Sequence, residues 1–257
     1  MTILALDVGN THIVIGCIKD NAVSGVFRLS TNTSKTADEY AAEIRGILAF
    51  HDAGRAKFDG AVMSCVVPPL SGVLRNAVKQ LAGINAMVVG AGVRTGLNIL
   101  IDDPAQLGGD MVASAVGALA EYAPPIIIAD LGTATKMFAL SRNGSFLGGA
   151  ILPGVAISMD ALAAGAAQLM RVQLEAPAKC ISTNTADCMK SGSIFGAASA
   201  IDGMAARFEA ELGEPATVVA TGGLAGLVCR HCKREIVQDP HLILRGLGII
   251  FEKNRKK

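Results

Sequence analysis

"LALDVGNTH", residues 4–12, breaks an apolar run with an aspartate, a glycine, an asparagine and a threonine, after which "IVIGCI" resumes it at once. "IIIADLGTATKMFAL", residues 126–140, repeats the design with Asp130, Gly132 and Thr133 between two apolar runs. Each reads as strand, turn and strand, because Val, Ile and Leu suit strands while Asp, Gly and Asn suit turns. A glycine in such a turn lets the backbone approach a ligand, and neighbouring amides and hydroxyls can donate to phosphate oxygens. An aspartate there would repel phosphate unless a cation or a water lay between them. One copy would pass as an ordinary hairpin. Two copies at equivalent places point to a metal-assisted phosphate clamp, built by two similar α/β halves with a cleft between them.

The pattern outward from these turns is consistent with that duplication. Strands are expected at 2–8, 12–18, 24–30, 60–67 and 86–89, and a helix at 36–50, where Thr36 and Glu39 have the spacing of a capping box. Pro68-Pro69 opens a second helix, and a long one is expected from Pro104, or at least from Asp110, loosened at its start by Gly108 and Gly109. In the second half, "FLGGAILPGV" marks a sharp backbone feature and "ATVVATGG" (216–223) a strand running into a glycine pair. Helices are expected at 155–164, 185–212, 223–232 and 240–253. The division falls at 1–118 and 119–257. Gly222-Gly223, between a strand and a helix, could receive part of a nucleotide or be a tight turn.

Composition narrows the function classes. The 257 residues are 51% hydrophobic and 18% charged, enough for a substantial core, and the formal charge of +1 gives no reason to expect nucleic acid or an anionic membrane as partner. No apolar run reaches the about 18 residues of a membrane span, and the start shows no leader pattern, so a cytoplasmic protein is expected. The six cysteines suit reduced thiols. Cys229 and Cys232 form a C-x-x-C without a second ligand pair at zinc spacing, and read as a coincidence near a helix end. Small residues at Ser193, Gly196, Ala197 and Ala200 permit close helix approach and suggest a dimer surface.

The set "DVGNTH", "GGD", "DLGTAT", "GGAILPGV", "TNTADCMKSG" and "ATGGLA" resembles, in order and over nearly the whole chain, the type III pantothenate kinases. The resemblance implies an α/β fold of two duplicated ribonuclease-H-like (actin-like) halves with a nucleotide cleft between them. It implies ATP-dependent phosphorylation of pantothenate at the entry to coenzyme A biosynthesis. It also implies a homodimer using Mg2+ and a monovalent cation, potassium or ammonium. Carried over by position, it sets Asp7, Val8, Gly9, Asn10, Thr11, His12, Ile13 and Val14 around the ATP phosphates, with Gly132, Thr133, Gly222 and Gly223 also at the nucleotide. Asp110 becomes the general base and Asp130 the ligand of the monovalent cation. Ile101, Gly108, Gly109 and Met111 line the substrate, and Thr185 reaches it from the other subunit.

Three positions depart from the family pattern. Met111 stands where an arginine follows the family's Gly-Ala-Asp, Ile101 where a tyrosine commonly lines the pocket, and Lys136 where a threonine is common. The acceptor side is therefore less polar and a cation has joined the second turn. Losing a charge-assisted partner costs on the order of 1.5–3 kcal/mol, which weakens binding without forbidding it. Pantothenate kinase, a kinase for a related alcohol such as pantetheine, and an ATP-binding regulatory relative all fit the letters.

Overall fold

The computed structural model describes residues 1–20, 22–51 and 57–255. It divides into two compact units, the first comprising Met1–Leu97, Asp102–Ala120 and His241–Lys257, the second Asn98–Ile101 and Glu121–Pro240.

In the first unit, β1 (Thr2–Val8) is continuously apolar up to its aspartate and lies third in a five-stranded sheet. Burial on both faces is what such a run demands. It pairs antiparallel with β2 (His12–Lys19), which pairs antiparallel with β3 (Ala22–Ser30). On its other side β1 runs parallel to β4 (Gly60–Cys65), which runs parallel to β5 (Ala86–Val88). The sheet order is therefore β3-β2-β1-β4-β5. Helices α1 (Ala37–Phe50) and α2 (Pro68–Ala82) cover one face through Tyr40, Ile44, Leu48, Leu70 and Leu74, all buried. Each such aliphatic side chain, fully buried, is worth about 1.5–3 kcal/mol. Helix α3 (Gly109–Glu121) completes the unit together with α7 (Leu242–Asn254).

The second unit repeats the topology strand for strand. β6 (Ile126–Leu131) pairs antiparallel with β7 (Ala134–Leu140), and β7 with β8 (Phe146–Pro153). β6 also runs parallel to β9 (Thr217–Thr221), and β9 to β10 (Val237–Gln238). The order β8-β7-β6-β9-β10 matches the first sheet. Helices α4 (Val155–Gly165), α5 (Thr185–Leu212) and α6 (Ala225–Val228) belong here, and α5 contributes Ile194, Ala198, Ile201 and Ala205 to the core.

Four expectations need correction. "FLGGAILPGV" is a full edge strand, β8, in which Gly148 takes a φ of 129° near an irregularity in the β7 pairing. The expected 223–232 helix is only the four residues of α6 followed by a 3-10 turn, Cys229–His231. The long helix begins at Gly109, in keeping with the later start at Asp110 and not with a start at Pro104, which opens a separate 3-10 turn, Pro104–Gln106, capped by the Asp103 carboxylate. The 118/119 division is crossed by α7, which returns to the first unit. Phe251 packs where Gly60 has no side chain, Leu244 lies against Gly16, and the Gly246 and Gly117 backbones meet Ala113 and Leu242 too closely for a Cβ. Glycine-to-backbone packing between α3 and α7 is a pairing that no local periodicity announces. Among the described residues, no helix is long and apolar enough to cross a membrane.

The capping box of α1 is present as expected: Glu39 N–H donates to the Thr36 hydroxyl at 3.3 Å, and Thr36 N–H to the Glu39 carboxylate at 2.7 Å. Thr36→Ala should lower the unfolding free energy in urea by about 1 kcal/mol at neutral pH. Hydrogen bonds from the Thr36 backbone and hydroxyl hold the Glu39 carboxyl below its ordinary value. A depressed carboxyl stabilises above its unfolded pKa and stops doing so as pH falls through the folded one. The gap between wild type and Thr36→Ala should therefore narrow below about pH 4.3; a gap constant down to acid unfolding would remove Glu39 from the cap.

Candidate functional site

In both units the third strand of the sheet ends with an aspartate as its second-last residue, Asp7 in β1 and Asp130 in β6. The register makes the two sites equivalent. Asp7 faces Val14 on the antiparallel neighbour and Ser64 on the parallel one; Asp130 faces Lys136 and Thr221. A hydroxyl thus stands beside each aspartate, Ser64 on β4 and Thr221 on β9.

At the first turn, the Ser64 hydroxyl donates to Asp7 Oδ1 at 2.5 Å, a short charge-assisted bond. The 9–12 turn is closed by Gly9 N–H donating to the His12 carbonyl at 3.0 Å. Thr31, just beyond β3, braces the turn twice: its hydroxyl donates to the Gly9 carbonyl at 2.7 Å and its N–H to the Thr11 carbonyl at 3.0 Å. Asn10, Thr11 and His12 are exposed, whereas Val8 and Ile13 are fully buried in the core and can offer a ligand only main-chain atoms. Val14 is half-buried.

Asp110 belongs to the same unit. It lies in the first turn of α3, is buried to 7% exposure, and folds back so that a Cβ on Gly108 would be 2.5 Å from its Oδ1. A carboxylate in a first helical turn faces the positive end of the helix dipole. Gly109 packs its main chain onto β4 and the residue that follows β5, where a Cβ would stand 2.9 Å from the Val89 carbonyl and 3.5 Å from Ser64 Cβ. Ser64 therefore touches both the carboxylate at the end of β1 and the start of the helix that carries Asp110. Met111, next along α3, is half-buried.

At the second turn, Gly132 N–H donates to the Ala134 carbonyl at 3.1 Å, and Thr133 is exposed. Main-chain crowding fixes this turn. Gly222, at φ 95°, lies so close to Leu131 that a Cβ would be 2.6 Å from its carbonyl carbon, and Gly154 lies against the Thr133 carbonyl with no room for a Cβ. Gly154 is also the N-cap of α4, with no side chain capping that helix. The Lys136 ammonium is 2.8 Å from Asp130 Oδ2, and both side chains are largely shielded, at 19% and 10% exposure. Gly223 is open to solvent, with nothing near an added Cβ. Ile101 belongs to this second unit, beside Gly148, and Thr185 is exposed at the start of α5 behind its Asn184 cap.

Sequence reading missed Ser64, Thr31 and Gly154 as parts of the turns. A lone serine ending the apolar "GAVMSC" was the available signal for Ser64, and Pro-Gly after "GGAIL" that for Gly154. Cys229 and Cys232 are free thiols. Their mutual hydrogen bond holds Cys229 below its ordinary value and pushes Cys232 up. Among the described residues, no three His, Cys, Asp or Glu side chains converge as a metal cage.

The family model of type III pantothenate kinases matches residues 3–207. A type III pantothenate kinase of Moorella thermoacetica is 40% identical over 252 residues, covering 98% of this chain and 99% of the relative. Those of Roseiflexus castenholzii and Myxococcus xanthus are each 39% identical, over 99% and 98% of this chain and 100% and 98% of their own lengths. Among solved structures, the activator of the 2-hydroxyisocaproyl-CoA dehydratase from Clostridium difficile superposes with a TM-score of 0.56 at 14% identity, covering 100% of this chain and 99% of the other. The (R)-2-hydroxyglutaryl-CoA dehydratase component A of Acidaminococcus fermentans gives 0.54 at 17%, covering 97% and 96%. These two likenesses concern the fold.

The crowding at the second turn predicts opposite outcomes for adjacent glycines. Gly222→Ala should cost about 1–3 kcal/mol in chemical denaturation, because both the backbone angle and the contact with Leu131 must give. Gly223→Ala should stay within about 0.5 kcal/mol of wild type.

Proposed function

The chain belongs to the type III pantothenate kinases, and from that membership we propose that it transfers the γ-phosphoryl group of ATP to the primary hydroxyl of pantothenate, the entry to coenzyme A biosynthesis. The observation that carries the reading is 40% identity across 98% of the chain. It is supported by a buried carboxylate, Asp110, on a helix start packed against the Asp7–Ser64 pair.

Asp110 is the general base. Its carboxylate lies in the first turn of α3, at the positive end of the helix dipole. As the attacking oxygen closes on the γ-phosphorus, its proton passes to the Asp110 carboxylate, and ADP departs with the electron pair of the broken bond to the bridging oxygen. Gly108 lets the Asp110 carboxylate fold back over it, and Gly109 lets the start of α3 sit close to Val89 and Ser64. Asp7, Gly9, Asn10 and Thr11 take phosphate at the first turn, and Gly132, Thr133, Gly222 and Gly223 serve the nucleotide at the second. Val8 and Ile13 contribute main-chain groups only.

The oxygen-rich first turn suits magnesium, a hard cation held by one or two carboxylates together with substrate phosphates rather than by a protein cage. Bound there beside Asp7, magnesium supplies charge neutralisation for the phosphate oxygens. Met111 and Ile101 are each less polar than the residue that the family pattern has at that position, so the acceptor's KM is where the departure should register.

The homodimer finds support on α5. Its open side is a row of small residues, Gly192, Gly196, Ser199 and Gly203, and nothing lies within 4 Å of a Cβ added at any of the three glycines. Ser193, expected on that surface, is buried instead. Thr185 begins the same helix, in keeping with service to a site across the interface. All six cysteines are free thiols, which suits a cytoplasmic location.

Purified protein with Mg-ATP should phosphorylate pantothenate, and faster turnover of pantetheine would move the acceptor assignment. Asp110→Asn should remain folded and bind ATP while turnover falls by about 10²–10⁴. Full turnover in the folded variant would remove Asp110 as base. Wild type should sediment as a dimer and Gly196→Arg as a monomer; a monomeric wild type would overturn the α5 interface.

A further inference from the structure

The two aspartates that end the central strands are equivalent by register, but their antiparallel neighbours differ: Val14 faces Asp7, and Lys136 faces Asp130. The difference is a whole positive charge. The Lys136 ammonium donates to Asp130 Oδ2 at 2.8 Å, with both side chains largely shielded from water. The same carboxylate reaches the turn itself, since Asp130 Oδ1 lies 3.6 Å from where a Cβ on Gly132 would be. The Asp130 Oδ2 that could face a dissociable monovalent ion is thus already engaged by a tethered one. A lysine ammonium carries the same charge as potassium or ammonium and binds oxygen through its own N–H groups. Being held by the chain, it needs no recruitment from solution.

We infer that Lys136 is the built-in monovalent cation of the second turn, a positioning residue that neutralises Asp130 and sets positive charge beside Gly132 and Thr133, so that nucleotide use requires neither potassium nor ammonium. The inference rests on the kinase reading above for its role in turnover. The pairing of charges stands apart from that reading.

The test compares wild type and Lys136→Thr in the chlorides of potassium, ammonium, sodium and tetramethylammonium at one ionic strength. Three quantities are read: pantothenate phosphorylation, Mg-ATP affinity by calorimetry, and the thermal midpoint without nucleotide. Wild type should vary by no more than about twofold in rate and affinity across the salts, whereas the variant should regain at least about tenfold in potassium or ammonium over tetramethylammonium. The variant's midpoint should also rise selectively in potassium or ammonium. A wild type stimulated about tenfold or more by potassium overturns the inference, as does a variant as active and as salt-indifferent as its parent. Should the variant fail to fold, the wild-type salt series still decides. If pantothenate is not phosphorylated in any salt, the kinase reading fails separately, and the affinity and midpoint series judge Lys136 without it.

Discussion

Each sheet must bury its middle strand on both faces and yet end that strand in a carboxylate. β1 is fully shielded from Ile3 to Leu6, and all six residues of β6, Asp130 included, are buried. A charge at the end of such a strand is tolerable only with a polar partner close by. The partner cannot come from the strand itself, whose neighbours in sequence are core residues. It comes from the strands alongside: the Ser64 hydroxyl for Asp7 and the Lys136 ammonium for Asp130. The placement of the aspartates therefore dictates polar residues on β4 and β7 that would otherwise be misplaced in apolar runs.

The same demand explains how the turns are held. The residue that follows the antiparallel edge strand of each sheet reaches back to the turn: Thr31 after β3 and Gly154 after β8. The first does so with hydrogen bonds, the second by bringing main chain against main chain. A hydroxyl brace leaves the 9–12 turn with exposed polar side chains, whereas glycine packing at 132–133 leaves the uncapped start of α4 beside the turn. Unpaired N–H groups at a helix start favour an anion. The two halves thus hold equivalent turns by different local means on one topology.

Much of this was legible in the letters. The strand–turn–strand units, the placing of Asp7 and Asp130 and the capping of α1 followed from local patterns, because alternation, turn residues and caps are local physics. What escaped notice was pairing at a distance. Nothing near Ser64 announces Asp7, nothing near Gly246 announces Ala113, and β10 is two residues long with both side chains exposed. The edge strand β8 was hidden by its glycines, which read as a turn although Gly149 is needed because a side chain would strike the Phe138 backbone. Lys136 was visible as an oddity, but only the register reveals that it faces Asp130.

The pairing of the carboxylates also divides the work between the halves. A hydroxyl donor shortens and orients a carboxylate's hydrogen bond without altering its charge, whereas an ammonium cancels that charge. The proposals of a divalent ion at the Asp7 turn and of Lys136 as the cation of the Asp130 turn both start from this difference in charge. Duplication alone would have made the turns alike. A lysine in place of an apolar neighbour at one register position adds a difference of charge to the difference in how the turns are held.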